Sequence, residues 1–242
     1  DTVLGDSRPG FYVRSDNDVA TAAGFASSAS GFAAFVKALN NLYGWEMDET
    51  CLSILARIGS GSACRSLFPG FSLWHKGERA DGMDSYAEPL EATWPELRIA
   101  MLEVTKDKKP IGSTEAMQHC AATSPMYQKW LAANEMVVAE IETAIADKDM
   151  MRFVTACEEN ALLMHETIRA STLRDDGLPL DYFLDETWRH LAAVQDLRAN
   201  QDMAIGATMD AGPQVKILFH EQDEPLVMNT FPDAEILEPW FG

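Results

Sequence analysis

The chain is poor in positive charge. It has 19 lysine and arginine residues against 38 aspartate and glutamate residues, which gives a formal net charge of −19 at pH 7. Nucleic acids and anionic membranes are bound through basic surfaces, so this balance argues against both as partners. A phosphate-bearing ligand would have to be attracted by local groups, such as helix N-termini and a few placed cations.

Cysteine and long apolar runs are scarce as well. Cys51, Cys64, Cys120 and Cys157 are scattered without C-x-x-C spacing, which indicates reduced thiols rather than disulfides or a zinc site. The five histidines have no ligand spacing and are interpreted as structural. No apolar run approaches the ~20 residues that span a bilayer, and no signal-peptide pattern is present. We expect a cytoplasmic protein without a resident metal centre.

The apolar residues, 47% of 242, are enough for a sizeable core. Their spacing predicts a chain of strands, then helices, then strands, which is typical of an α+β fold with an antiparallel sheet covered by helices. Helices are predicted over 27–43, 49–58, 113–123, 126–146, 149–171 and 186–199. Strands are predicted over 11–15, 67–74, 97–105, 204–209 and 215–219.

A stretch of small residues at positions 21–34 leads directly into the first helix. Uncrowded backbone N–H groups at a helix N-terminus favour anions, so this stretch predicts a phosphate site. It lacks the lysine of a P-loop and the glycine spacing of a dinucleotide fingerprint. Close packing of a helix against a sheet would explain the small residues equally well. The residues expected to contact phosphate are Gly24, Ala26, Ser27, Ser28 and Ala29.

Two further motifs identify a family. Gly-Ser-Gly-Ser-Ala-Cys-Arg-Ser-Leu-Phe begins at Gly59, and Thr-Met-Asp-Ala-Gly-Pro begins at Thr208. Together with the phosphate stretch, in this order, they resemble the mevalonate diphosphate decarboxylases of the GHMP small-molecule kinase superfamily. The resemblance runs from about Phe11 to about Phe219. It implies a two-lobed GHMP kinase-like fold, divided here into residues 1–110 and 111–242, and a homodimer.

One family segment has no counterpart in this sequence. The family has a strand and loop reading approximately Ala-Pro-x-Asn-Ile-Ala-x-Ile-Lys-Tyr-Trp-Gly-Lys before its phosphate stretch, and nothing here matches it. The sequence is therefore expected to be a fragment, or to come from a protein in which this part of the N-terminal lobe was lost or replaced. An inactive remnant that binds a nucleotide or a partner is one alternative to an enzyme.

The resemblance implies a reaction in which ATP, carried with Mg²⁺, phosphorylates the 3-hydroxyl of mevalonate 5-diphosphate. Loss of phosphate and carbon dioxide then gives isopentenyl diphosphate. Asp210 is the candidate base or orienting acceptor for that hydroxyl, although Asp before Ala-Gly-Pro can also simply cap a turn. Arg65 is the candidate for gripping the substrate carboxylate through two parallel hydrogen bonds. A surface salt bridge is the alternative for this arginine.

Smaller polar residues complete the expected substrate site. By resemblance they line the diphosphate or carboxylate end of the substrate, while each could also be an ordinary turn residue. They are Ser60, Ser62, Ser113 and Thr114, with Ala211 beside Asp210. Bacterial members often carry Arg where this chain has Thr114, and Gln214 replaces an Asn. A related enzyme acting on mevalonate 5-phosphate or on mevalonate therefore remains an alternative.

Overall fold

The computed structural model of the chain describes residues 12–16, 27–109, 111–172 and 174–240. Seven α-helices lie in these ranges: α1 (Ser27–Tyr43), α2 (Glu49–Gly59), α3 (Ser113–Thr123), α4 (Tyr127–Asp147), α5 (Met150–Arg169), α6 (Asp185–Gln201) and α7 (Glu224–Thr230). The strands are β1 (Ser72–Trp74), β2 (Ala87–Pro89), β3 (Leu97–Leu102), β4 (Gly206–Thr208), β5 (Val215–His220) and β6 (Glu235–Leu237). A 3₁₀ helix, Gly61–Leu67, follows α2.

Helix boundaries follow local chemistry. The Asp48 carboxylate accepts a hydrogen bond from the Cys51 N–H at 2.8 Å and caps α2. The Asp149 carboxylate caps α5 in the same way, by accepting from the Arg152 N–H. After α1, Gly44 adopts a φ of +59°, a conformation that favours glycine and ends the helix.

The strands form two antiparallel sheets. β1 pairs with β2, and the larger sheet has the order β4-β5-β3-β6. β3 lies inside this sheet, with Leu97 opposite His220 on one side and Ile99 opposite Leu237 on the other. Within the described ranges, a strand from the predicted first lobe, residues 1–110, thus pairs only with strands from residues 111–242. The division at residue 110 itself stays a prediction.

Alternate residues of the larger sheet enter two apolar clusters. Ile217 and Phe219 of β5 join Val194 of α6 and Val227 of α7 in one cluster. Leu218 joins the other, which contains Phe153 and Val154 near the start of α5. Burial on both faces fits the near-continuous apolar sequence of β5. The sheet is therefore held rigidly between helices.

Two smaller clusters support the elements that carry the predicted site residues. Ala33 and Val36 of α1 pack with Leu52 and Ala56 of α2 and with Leu67 of the 3₁₀ helix. A separate cluster joins Ile111, Ala116, Leu180, Tyr182 and Ala211, and so packs α3 against the turn after β4. Because the second cluster includes Ala211, α3 and the Asp210–Ala211 turn have a fixed relation.

The α+β prediction is confirmed. The strand predicted over 11–15 is wrong over residues 12–15, which pair with no strand in the described part of the chain. Residues 67–74 form a strand only from Ser72, because the 3₁₀ helix extends to Leu67. α7 and β6 lie beyond the last predicted element, and both are short. Among the described residues, no helix is long and apolar enough to cross a bilayer.

Candidate active site

A cavity of about 1240 Å³ lies between α1, the 3₁₀ helix and β1 on one side and α3, α4 and the Asp210–Ala211 turn on the other. These elements come from all parts of the chain, so the cavity gathers segments that are far apart in sequence. Seven of the predicted site residues line it: Ser28, Ser60, Ser62, Ser113, Thr114, Asp210 and Ala211.

Two helices begin at this cavity. Ser28 is the second residue of α1, and Ser113 and Thr114 are the first two residues of α3. The first N–H groups of an α-helix have no partner within the helix, and the helix dipole adds positive potential there. Gly112 precedes α3 without a side chain that could cap it. Two helix N-termini, which favour negative charge, therefore lie at the cavity wall.

The phosphate stretch and the second motif meet through a pair of serines. The Ser28 and Ser60 hydroxyl oxygens lie 3.2 Å apart, and either can donate the hydrogen bond. Ser60 lies between the end of α2 and the start of the 3₁₀ helix. Its hydroxyl is therefore held beside the N-terminus of α1, and both residues line the cavity.

Lys109 connects the start of α3 with the third motif. Its ammonium group donates to the Ser113 hydroxyl at 2.6 Å and to the Ala211 carbonyl at 2.9 Å. The same group lies 5.7 Å from the centre of the Tyr182 ring. Burial lowers the pKa of Lys109, the Asp210 charge opposes that shift, and the Lys216 charge adds to it. Lys109 thus presents a partly desolvated cation to the cavity.

Asp210 is held by hydrogen bonds to both its side chain and its backbone carbonyl. Its Oδ2 accepts from the Lys216 ammonium group at 2.5 Å. Its backbone carbonyl accepts from the ring Nε2–H of His165 at 3.0 Å and from the Gly212 N–H at 2.7 Å. Burial lowers the pKa of His165 to about 4, so its ring is neutral near pH 7. His165 is structural, as predicted, but its structural role is to fix Asp210.

Gln214 ties the turn after Asp210 to the segment that leads to Lys109. Its side chain is fully buried. The amide oxygen accepts from the Val104 N–H at 2.5 Å, and the amide nitrogen donates to the Thr105 carbonyl at 2.5 Å. The same turn receives a hydrogen bond from the Thr187 hydroxyl to the Pro213 carbonyl at 3.0 Å. The turn is therefore fastened to two other segments of the chain.

Some predicted site residues are not brought to the cavity wall. Arg65 is exposed on the 3₁₀ helix, one turn beyond Ser62, and does not line the cavity. Ala29 is buried in α1, so only its backbone could contribute. Gly24 and Ala26 lie outside the described residues, as does the side chain of Ser27. The roles of these five residues stay predictions.

Sequence reasoning missed the residues that organise the site from behind. Lys109 belongs to a segment that resembles the family, but nothing in the sequence indicated where its ammonium group would lie. Lys216 and His165 reach Asp210 through tertiary contacts and carry no local signal. The Gly112-Ser113-Thr114 helix start could have been recognised as a second anion site, because the helix over 113–123 was predicted with the observed boundaries.

The wall chemistry suits an anionic ligand that also has an apolar part. In the described part of the chain, Asp210 is the single acidic residue that lines the cavity, whereas Lys109 and Arg14 are its cations. Phe32, Trp74 and Tyr127 add aromatic surface. One carboxylate beside two anion-binding helix ends can orient a hydroxyl group toward a bound phosphate.

Two family models match the chain. The "Diphosphomevalonate decarboxylase-like N-terminal domain" matches residues 4–87, and the "Mevalonate 5-diphosphate decarboxylase C-terminal domain" matches residues 99–236. The diphosphomevalonate decarboxylase of Schizosaccharomyces pombe is 39% identical over 225 residues, which cover 90% of this chain and 56% of that protein. The chain thus spans about half the length of the curated relatives it matches.

Solved structures agree with these matches. A mevalonate diphosphate decarboxylase from Enterococcus faecalis superposes with a TM-score of 0.79 at 34% identity, covering 90% of this chain and 66% of that one. A structure described as "MDDEF in complex with MVAPP, AMPPCP and Magnesium" superposes with a TM-score of 0.80 at 33% identity, covering 91% of this chain and 70% of that one.

Proposed function

Because the chain belongs to the diphosphomevalonate decarboxylase family, we propose that its protein converts mevalonate 5-diphosphate and ATP to isopentenyl diphosphate, ADP, phosphate and carbon dioxide. One observation carries the proposal. The serines of the first two motifs, the start of α3 and Asp210 share a single cavity. The names of the relatives and the GHMP kinase-like fold of their solved structures support it.

The reaction proceeds in two steps. The 3-hydroxyl oxygen of the substrate attacks the γ-phosphorus of ATP, its proton passes to Asp210 or to solvent, and ADP departs. The new phosphate ester then leaves with the electrons of its C–O bond. The bond between the carboxylate carbon and C2 breaks, its electrons form the alkene, and carbon dioxide is released. Positioning and charge stabilisation are what a protein contributes to such phosphoryl transfer.

Six residues in or near the cavity have proposed roles in these steps. Asp210 accepts the hydrogen bond of the 3-hydroxyl, either as its base or as its orienting acceptor. Lys109 and the α3 start hold phosphate oxygens, while Ser60 and Ser62 bind the substrate. Ser28 and the α1 start hold the ATP phosphates. Arg65 grips the carboxylate; its exposed position on the 3₁₀ helix requires its side chain to turn toward the cavity.

Magnesium fits this site as an ion carried by the nucleotide. In the described ranges no group of three or more His, Cys, Asp and Glu side chains could hold a metal ion. Mg²⁺ is commonly bound by substrate phosphates and waters with few protein ligands. The Ser28 hydroxyl is the oxygen that would contact it here. Bound Mg²⁺ would neutralise charge on the phosphates, and the solved complex with MVAPP, AMPPCP and magnesium supports its presence.

The proposal also covers the lobes, the oligomeric state and the location of the protein. A lobe boundary between β2 and β3 fits the strand pairing better than one at residue 110, since β3 pairs with β5 and β6. The family resemblance supports a homodimer that works in the cytoplasm, and a product that feeds isoprenoid and sterol biosynthesis. The scattered, unpaired cysteines suit a reducing compartment.

Product analysis tests the proposed reaction. The purified full-length protein is mixed with ATP, Mg²⁺ and either mevalonate 5-diphosphate, mevalonate 5-phosphate or mevalonate, and ADP and carbon dioxide are measured. We expect carbon dioxide chiefly from the diphosphate. Thr114, where bacterial members often have Arg, motivates the monophosphate and mevalonate arms. ADP without carbon dioxide would instead indicate a simple kinase.

Asp210→Asn supplies the residue-level control. This variant should lose most ADP formation while still binding ATP, since the nucleotide is held by the helix starts. Asp233→Asn removes an exposed carboxylate outside the cavity wall and should behave as wild type. Normal turnover by Asp210→Asn would show that the wrong carboxylate was chosen.

A further inference from the structure

Lys216 is the closest charged partner of Asp210 in the described part of the chain. Its ammonium nitrogen lies 2.5 Å from Asp210 Oδ2. The lysine side chain is only 16% exposed, whereas the aspartate side chain is 47% exposed and lines the cavity. Lys216 itself does not line the cavity. Lys216 therefore contacts Asp210 from the side away from the cavity, while the carboxylate faces the cavity.

The β4–β5 hairpin explains how these two residues meet. Thr208 at the end of β4 lies opposite Lys216 of β5 in the antiparallel register. Side chains two residues apart on a strand point to the same face, and diagonal cross-strand neighbours are within reach of a long side chain. Asp210 lies two residues beyond Thr208, so the lysine spans the diagonal. A shift of one residue in this register would separate the two groups.

The carboxylate has two oxygens, and among the described residues only one of them accepts a hydrogen bond. Oδ2 accepts from Lys216, whereas Oδ1 has no hydrogen-bond partner among the described residues. The Asp210 backbone is already fixed by His165 and Gly212. What remains free is rotation of the side chain, and the bond from Lys216 restricts that rotation. Restriction of a reacting group to one geometry is worth large factors in rate.

We propose that Lys216 is a positioning residue for the phosphoryl-transfer step. It holds Oδ2 so that Oδ1 is presented to the substrate hydroxyl. Lys109 has a different task, because it bonds to Ser113 and to the Ala211 carbonyl and lines the cavity itself. The inference rests on the proposed function, since it assigns Lys216 to the step that Asp210 serves.

Three variants of the full-length protein test this role. Lys216→Met removes the donor while keeping a side chain of similar length, and Lys216→Arg keeps a charged donor. Lys106→Met is the matched control, because the Lys106 side chain is 86% exposed and pairs only loosely with Glu103 at 3.8 Å. For each protein, kcat and both KM values are measured with ATP and mevalonate 5-diphosphate, together with the thermal midpoint.

We expect Lys216→Met to lower kcat by about 100-fold, the size of effect seen when a reacting group is misplaced. Both KM values should stay within about threefold of wild type, because in this role Lys216 does not contribute to the binding of either substrate before the reaction. Lys216→Arg should recover at least about tenfold in kcat, and Lys106→Met should match wild type.

Other outcomes overturn the inference. A kcat for Lys216→Met within about threefold of wild type means that Asp210 needs no such partner. A loss confined to KM, or one that Lys216→Arg does not relieve, assigns Lys216 to binding or to general stability instead. Absence of turnover by the wild-type protein with mevalonate 5-diphosphate overturns the proposed function itself, and the inference with it.

Discussion

Replacement of Gln214 by leucine should destabilise the protein by an amount that the structure allows us to estimate. Leucine has nearly the volume of glutamine and would fill the same buried space, so no large cavity forms. It lacks both polar groups, however. The Val104 N–H would lose its acceptor and the Thr105 carbonyl would lose its donor.

The size of the loss follows from the exposure of these two backbone groups. A buried polar group left without a partner costs roughly 1–3 kcal/mol. Val104 and Thr105 are half-buried rather than fully buried, so the lower end of that range applies to each. We expect Gln214→Leu to lower the free energy of unfolding by about 2 kcal/mol, which corresponds to about 4–8 °C in Tm for a chain of this size.

Urea unfolding of wild type and variant, followed by circular dichroism, measures this difference directly. Gln222→Leu is the control, because Gln222 is exposed in the turn after β5 and should change stability by less than about 0.5 kcal/mol. A Gln214→Leu protein as stable as the Gln222→Leu control would refute the claim that the glutamine joins two segments. The variant should also lose activity, since those segments carry Asp210 and Lys109.

Three further predictions concern other parts of the molecule. Burial lowers the pKa of His165 to about 4, so the imidazole takes up a proton more readily in the unfolded chain than in the folded one. The free energy of unfolding should therefore fall by up to about 3 kcal/mol as the pH drops from about 6.5 to 4. Unfolding experiments at several pH values should show a shallower fall for His165→Gln, and identical slopes would contradict the assignment. Gly206→Ala should destabilise the protein by about 1–3 kcal/mol, because a Cβ there would lie 2.7 Å from Val154 Cβ and 2.8 Å from the Val154 carbonyl oxygen. A Cβ at Gly31 in α1 would meet nothing within 4 Å, so Gly31→Ala should stabilise the protein by about 0.5–1 kcal/mol. Denaturation midpoints of the two variants that move in the same direction would count against the packing argument. Arg65→Lys should lower kcat/KM at least about tenfold despite the retained charge, because an ammonium group does not make two parallel hydrogen bonds to a carboxylate; steady-state rates near those of wild type would exclude the carboxylate grip.

The sequence predicts the elements whose signals are local. Gly112 before α3 and Ser124-Pro125 after it are residues typical of helix ends, and the α3 boundaries predicted from them agree with the structure. Asp48 marks the start of α2 because a capping carboxylate acts within three residues. The strand predicted over 11–15 is wrong over residues 12–15, because an alternating pattern does not by itself supply a neighbouring strand for pairing. β6 has only three residues, too few for any periodicity.

The same distinction between local and tertiary signals applies to the candidate site. Ser28, Ser60 and Asp210 lie in motifs that are readable in one dimension, and the fold brings all three to one cavity. The hydrogen bonds that fix them do not follow from the motifs. Lys216 reaches Asp210 only because of the β4–β5 register, and His165 reaches it from a helix 45 residues away. Sequence thus names several of the groups that face the cavity, whereas the place of Lys109 in the wall and the hydrogen bonds that fix Asp210 depend on tertiary geometry.

The position of β3 inside the larger sheet has a consequence for how the chain is made and handled. Its partners in β5 are more than one hundred residues away along the chain, so this pairing closes a very long loop and raises the contact order of the fold. In a nascent chain, β3 cannot form this pairing until residues 215–220 have been synthesised. Expression of residues 111–242 alone would remove β3 from between β5 and β6 and leave two apolar strand edges open to aggregation.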